Sequence, residues 1–437
     1  MSTPIRRPRR IAALVATATV TGLALSACSS GGSGTAGGGT GDGTFRYLSL
    51  AENTAVADTF TTLGEEVCAP DGGVAPLEIT TQPQASFDQQ LQLLAGQDAL
   101  PSIFAAGNSP QVIKDIHESG QLVDIDAELE ALGEGEAIIP AARSTLEALY
   151  GGEVYVLPTE FNVEGIWYNK QLFADNGIAV PTTWGELVVA GETLKGAGVT
   201  PFAAAGKDGW PLTRLIGNYV FRSVGPDAMA AIASGDAELT DPEYVEAATR
   251  VAELGEKGLF GESVGSIDYT TAMNEFLNGR AGMFYMGSWA LANFNDPEQN
   301  LVGQENIGFM PFPAVEGGAG DSTQLAANVG VPLAMGQSTF DDDAKDWLSC
   351  IAQTFGTQSL QNQGVITGFA VEGEVAELPP LTTEVQTQID SAVTTVLWFE
   401  ALFSPKAQTT SYTNVQLLVT GQMTPEDFMA AVQADLG

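Results

Sequence analysis

Histidine occurs once in this sequence, at His117, and lysine plus arginine total 17 against 54 acidic residues. One histidine cannot build a histidine-rich zinc site, and it excludes a catalytic dyad unless His117 itself serves. Its neighbours Ile116 and Glu118 belong to a polar helical stretch, the setting of a surface histidine. Scarce positive charge excludes a second class, because so acidic a surface repels phosphate backbones; no nucleic acid partner is expected. No G-x-x-x-x-G-K phosphate loop is present, so nucleotide hydrolysis by that route is excluded. Cysteine is found only at Cys28, Cys68 and Cys350. Beyond residue 27 no apolar run is long enough to span a bilayer.

The one long apolar run has a specific form. Arg6, Arg7, Arg9 and Arg10 precede an uncharged stretch from Ile11 to Ala27, which suits a signal segment and is short for a membrane span. It ends in Leu25-Ser26-Ala27-Cys28, which resembles a bacterial lipobox with the cysteine ready to receive a lipid. Ser29 to Gly43 is nearly all glycine, serine and threonine, a composition that cannot bury a core and behaves as a flexible tether. The expected organisation is therefore a signal peptide over 1–27, a lipidated Cys28 with its tether over 28–43, and a folded unit over 44–437. Location is expected outside the cytoplasm, on the outer face of the membrane, with the membrane touched through the lipid only. Removal of residues 1–27 leaves 13 basic and 54 acidic residues, a charge of −41.

From Thr44 onward short apolar strands alternate with amphipathic helices, the pattern of an α/β protein. Phe45 to Leu50, Leu77 to Thr80 and Ile103 to Ala106 read as strands. Val56, Phe60, Leu63 and Val67 share one helical face. Ser86 with Gln89, and Thr183 with Glu186, have the spacing of capping boxes. Val154 to Leu157 and Gly165 to Tyr168 are strand-like around a polar bend at Thr159 to Asn162. Ala281 to Met286 and Ala326 to Pro332 are further strands, and Thr424-Pro425 opens the last helix. No fixed-period repeat is visible.

The motifs that could carry chemistry are few. Gly261-Glu262-Ser263-Val264-Gly265 fits G-x-S-x-G, but that elbow needs a histidine after the serine, and His117 precedes it. Asp341-Asp342-Asp343 lacks the alternation of a calcium loop and sits where negative charge favours a helix N-terminus. No catalytic residue, metal ligand or cofactor is therefore assigned. Two carboxylates at glycosidase separation remain open, since sequence does not show that distance. The tryptophans say more. Trp184 and Trp347 lie on buried helical faces, whereas Trp210 and Trp289 each follow a glycine-containing turn at the C-terminal end of a strand. Ligands of open α/β sheets bind at that end, and an indole there offers a flat apolar face to a sugar ring.

The chain resembles the extracellular solute-binding proteins of ABC importers, in the carbohydrate-binding group that includes maltose-binding protein. The likeness is carried by Tyr168-Asn169-Lys170-Gln171-Leu172-Phe173, Pro181-Thr182-Thr183-Trp184-Gly185-Glu186-Leu187, Phe276 to Met283 with Gly287-Ser288-Trp289, and Gly308-Phe309-Met310-Pro311-Phe312-Pro313. It implies an α/β, two-lobed, type II-like periplasmic-binding fold with the ligand between lobes joined by hinge strands. Lobe one would comprise about 44–158 and 325–365, and lobe two about 159–324 and 366–437. Both Cys68 and Cys350 then fall on neighbouring helices of lobe one, which implies a disulfide; from composition alone, two free thiols are equally open. The resemblance also implies a ligand set of Glu52, Asn53, Asn108, Glu160, Asn162, Lys207, Asp208, Trp210, Trp289, Phe369 and Trp398. Maltodextrin preference is not implied, because Asn162 replaces an acid and Lys207-Asp208 replaces a Tyr-Phe pair.

The function implied is capture of a sugar or oligosaccharide by a monomer that delivers it to ABC permease subunits served by a separate ATPase. The same fold could instead bind an amino acid, polyamine or metal. A carboxylate ligand would want an arginine clamp, for which Arg214 is the nearest candidate. A secreted glycan hydrolase is the third reading.

Overall fold

The structure, a computed structural model, describes residues 43–436 apart from 52, 70–72, 108, 374, 376–377 and 392–393. Cys28, the tether, Glu52 and Asn108 lie outside the described residues. Two sheets define two lobes. The first sheet has the order β2-β1-β3-β9, with β1 at Phe45–Leu50, β2 at Leu77–Gln82, β3 at Ile103–Ala105 and β9 at Leu333–Met335. Its first three strands are parallel and β9 runs against β3. The second sheet has the order β10-β8-β4-β6-β5, with β7 also paired to β4. Its strands are β4 at Asn162–Asn169, β5 at Thr200–Ala203, β6 at Ala281–Gly287, β7 at Ile307–Met310, β8 at Gln324–Asn328 and β10 at Thr394–Val396.

Strand direction in the second sheet decides where its loops emerge. β4 is antiparallel to β6, β7 and β8, while β5 is parallel to β6 and β10 is parallel to β8. Every strand but β4 therefore runs the same way. The C-terminal ends of β5, β6, β8 and β10 share one edge with the start of β4. Both faces of this sheet are covered, so β6 reads as a continuous apolar run. Met283 and Tyr285 enter one cluster with Phe202, Leu215, Val251 and Phe428; Phe284 and Met286 enter the other with Phe276 and Phe294.

The chain crosses between the lobes beside itself. Leu157 bridges Leu333, and Asn162 pairs with Asn328, so the start of each crossing lies beside the end of the other. Gly330 sits in the return crossing at φ +62°, and a Cβ there would lie 2.3 Å from a Glu160 carboxylate oxygen. Glycine is required at this point by conformation and by space.

Several expectations shift. Leu325 does not restart the first lobe: Gln324–Asn328 is β8 of the second sheet, and the first sheet resumes at Leu333. The expected strand Ala326 to Pro332 is thus two strands divided by the crossing. Nor does the first lobe end at 365. Phe369 bridges Ile138 and packs on Phe355 at 5.6 Å, so the chain stays with the first lobe through that point. Val154 to Leu157 is buried but makes only the single bridge at Leu157, because it has one short neighbour to pair with. The helix expected to open at Ser86 begins at Gln84 after Pro83, and the Ser86 hydroxyl donates back to the Pro83 carbonyl at 3.3 Å.

Other local readings match. Thr183 and Glu186 form a reciprocal capping box, and Thr424 accepts from the Asp427 N–H at 3.1 Å. Asp341 caps the helix Asp342–Gln363 through the Ala344 N–H, with Asp342 and Asp343 in its first turn, so the acidic triplet serves the helix end. Trp347 is fully buried against Phe45 at 4.8 Å, and its indole N–H donates to the Ala75 carbonyl at 2.9 Å. Trp184 packs edge-on to Tyr219 at 5.0 Å.

Cys68 and Cys350 are bonded, with Cα atoms 6.2 Å apart and a sequence separation of 282. Cys68 directly follows the helical turn Leu63–Val67 and Cys350 lies in the helix Asp342–Gln363, both in the first lobe, so the bridge ties one lobe internally and does not cross the hinge. Such a bridge stabilises chiefly by constraining the unfolded chain. A double Cys→Ser variant should lose about 2–5 kcal/mol, measured as a lower denaturation midpoint with a steeper denaturant slope, because the unfolded chain is released to expand. An unchanged midpoint would show that the bridge adds no stability.

Candidate functional site

Three of the expected residues meet at the shared edge of the second sheet. Trp210 begins the helix Trp210–Ser223 after β5, Trp289 follows β6, and Trp398 follows β10. Trp210 and Trp289 have ring centroids 5.8 Å apart. All three indoles surround one cation, the Arg214 guanidinium, which lies 4.7 Å from Trp210, 5.7 Å from Trp289 and 5.6 Å from Trp398. Arg214 reaches Trp210 because residues four apart share a helix face. Tyr269 extends the aromatic group, its ring 6.1 Å from Trp210. Burial pushes the Tyr269 phenol up to about 12.

The helix start is held close by Gly209, at φ +77°, where a Cβ would lie 2.0 Å from the Tyr412 carbonyl oxygen. Any other residue would push the helix Pro405–Val419 away from the tryptophans.

Beneath the indoles lies a buried charge cluster. Arg214 donates from Nη1 to Glu164 at 2.5 Å, and its Nε is 3.9 Å from Glu400. Both carboxylates have no solvent exposure and Arg214 has 14 %. Glu164 is completed by the Tyr285 hydroxyl, which donates at 2.6 Å, and by the Asn328 amide, which donates at 3.2 Å. Asn218 in turn donates to the Tyr285 oxygen at 2.7 Å. Glu400 accepts from the Thr213 hydroxyl, while its second oxygen and Arg214 Nε have no hydrogen-bond partner. Burial opposes the Arg214 charge, but Glu164 and Glu400 outweigh it and hold its pKa above the ordinary value. Burial pushes the Glu400 carboxyl up to about 7 despite the pull of Arg214.

A second group forms at the hinge. Asn162 donates to Glu160 at 3.1 Å and to Asn328 at 3.4 Å, and accepts from the Ser288 hydroxyl at 3.2 Å. The Asn53 side chain makes no cap contact with the helix it precedes. Burial raises the Glu160 pKa, and the Asn162 and Asn53 amides pull it down. Asn328 joins the two groups, so hydrogen bonds and one ion pair run unbroken from Glu160 to Arg214. Asn162 is only 4 % exposed and acts within this network.

Other expected residues have different settings. Lys207 is half exposed and pairs with Asp268 at 3.4 Å. Asp208 accepts from the Tyr269 N–H at 2.6 Å, closing the loop before the helix that carries Tyr269. Phe369 is 1 % exposed in the first-lobe core, so it is no part of an aromatic wall. It was placed there by resemblance, whereas the bridge to Ile138 turns it inward. Ser263 stands before the short helix Val264–Ser266, and the element preceding it is the helix Pro242–Glu256, not a strand. Among the described residues no group of three or more His, Cys, Asp or Glu is arranged to hold a metal.

Glu164, Glu400, Tyr269 and Tyr412 were not anticipated, and Arg214 was considered only as a clamp. One signal was available. A glutamate at the second position after Asn162 in an otherwise apolar strand is almost never fully buried unless paired, which called for a cation elsewhere.

A family model for the bacterial extracellular solute-binding proteins matches residues 77–355. The chain belongs to that family, whose members act outside the cytoplasm. It is 30 % identical over 176 residues to a multiple sugar-binding protein of Streptococcus mutans, covering 38 % of this chain and 40 % of that protein. The chain thus spans about two fifths of the length of the first curated relatives it matches. Among solved structures, a chitin oligosaccharide binding protein is 26 % identical, with a TM-score of 0.74 over 90 % of this chain and 97 % of that one. A protein solved in work on xylan utilization by Caldanaerobius polysaccharolyticus shares the fold, with 23 % identity and a TM-score of 0.77 over 90 % and 100 % of the two chains.

The pH dependence of stability follows from Glu400. Its folded pKa near 7 exceeds the unfolded value of 4.5. Between those values the folded state holds a proton that the unfolded state has lost, so this group's contribution to stability falls as pH rises through the interval. Glu400→Gln should remove that fall. The variant should gain up to about 3 kcal/mol on the wild type between pH 4.5 and pH 8, measured by urea unfolding across the range. A difference that does not change with pH would refute the raised pKa.

Proposed function

We propose that this chain is a sugar receptor of an ABC importer, closing its two lobes about the ligand and presenting it to the permease. The observation that carries the reading is the convergence of Trp210, Trp289 and Trp398 at one sheet edge. Exposed indole faces stack on the C–H faces of pyranose rings, while polar side chains take the hydroxyls. The hinge group of Glu160 and Asn53 supplies those polar partners from between the lobes. Side-by-side crossings provide the hinge, and closure is a ligand-driven shift between open and closed states. The family relatives named as sugar-binding favour this over an amino acid, polyamine or metal ligand.

The remaining parts complete the proposal. Signal, lipobox and tether in that order support attachment through Cys28, which holds a monomeric receptor near its permease at high effective concentration. A separate ATPase supplies the energy. The first lobe comprises 43–158 and about 333–370, and the second comprises most of the rest.

A thermal-shift screen of residues 29–437 against neutral mono- and oligosaccharides tests the reading. A ligand at 100 times its dissociation constant should stabilise by about 2.7 kcal/mol. Trp289→Ala should then weaken the sugar that binds best by about 30-fold or more, as for other buried aromatic anchors, with an unchanged circular dichroism spectrum. Undiminished affinity in the folded variant would remove Trp289 from the site, and no shift with any sugar would overturn the function.

A further inference from the structure

An arginine ringed by tryptophans is an obvious seat for a carboxylate, yet here its charge is already matched. Glu164 and Glu400 face Arg214 from β4 and from the turn after β10, and neither touches solvent. Lys207, in the loop before Trp210, pairs with Asp268 at 3.4 Å. The sequence places no cation in the first-lobe turns at 50–54 and 106–110. Glu160 adds an acid at the hinge, where the side chains that pull its pKa down are the neutral amides of Asn162 and Asn53. An anionic group entering this cleft would lose its water, meet two buried carboxylates and find no uncommitted counter-charge.

We infer that the site selects uncharged sugars and rejects those carrying a carboxylate, and that Glu400 is the residue that sets this selectivity by turning the neutral Arg214–Glu164 pair into a net negative cluster. The inference rests on the sugar-binding reading and narrows its ligand class. Arg214 is then a positioning residue whose fixed, neutralised guanidinium holds the three indoles apart. It is no ligand clamp. Glu400 is the adjustable member, because its contact with Arg214 is 3.9 Å and leaves Arg214 Nε and one Glu400 oxygen without hydrogen bonds, whereas the Glu164 contact is 2.5 Å. Removing the Glu400 charge leaves Arg214 matched by Glu164 alone, so the trio goes from a net charge of −1 to 0 and its repulsion of anions falls.

The test is calorimetry at pH 8 with matched pairs of probes: glucose and glucuronate, galactose and galacturonate, cellobiose and cellobiuronate. Wild type should bind the neutral member of at least one pair and its uronate at least about 100-fold more weakly, since like-charge juxtaposition costs several kcal/mol. Glu400→Gln should narrow that gap about tenfold or more by tightening the uronate. A purely structural role for Glu400 would instead weaken both members together and leave the ratio unchanged, which would overturn the inference. Uronates bound by wild type as tightly as neutral sugars would also overturn it while leaving the sugar-binding reading intact. If neither member of any pair binds wild type, the sugar-binding reading itself falls for these probes and the selectivity falls with it.

Discussion

Arg214 and Glu164 meet at 2.5 Å with almost no access to water, and the ligand edge is arranged around that contact. An ion stripped of water costs several kcal/mol, so a buried guanidinium demands a counter-charge in good geometry. β4 supplies it from mid-sheet, and its neighbours finish the shell: Tyr285 from β6 and Asn328 from β8 donate to the two oxygens. The helix Trp210–Ser223 is thereby fixed against three strands at once. Trp210 rides on that helix, and Trp289 and Trp398 come from strands whose ends lie at the same edge. A planar guanidinium suits this place because it offers flat faces to indoles while its N–H groups point at carboxylates.

The same contact is joined to the hinge. Glu160, Asn162 and Asn328 carry hydrogen bonds from the crossings to Glu164, so the floor of the cleft and the point of bending share one polar network. Gly330 lets the return crossing pass against the Glu160 carboxylate. The disulfide, by contrast, stays within the first lobe. The covalent tie thus lies inside a lobe and leaves the crossings unbridged, as the proposed hinge closure requires.

How much of this was legible depended on the range of the interaction. The capping box at Thr183, the N-cap at Thr424 and the acidic start of the Trp347 helix are short-range features, and each matches its local reading. Trp210 and Trp289 were legible because a glycine turn after an apolar strand marks a strand end, and parallel strands bring such ends together. Phe369 was misplaced because its setting depends on an isolated bridge to Ile138, a contact with no local signature. The boundary at 325 failed for a related reason: β8 and the crossing form one apolar run, and only pairing with β4 shows which sheet each part joins.

The sequence by itself determined the α/β alternation, the helix ends, the acidic charge and the placing of Trp210 and Trp289 at strand ends. These follow from periodicity, capping chemistry and composition, which act within a few residues or over the whole chain. Tertiary structure alone decided that Arg214 is matched by Glu164 and Glu400, which lie 50 and 186 positions away. Charge pairing is set by distance and by the exclusion of water, and both come into being only when β4, the helix after β5 and the turn after β10 pack together.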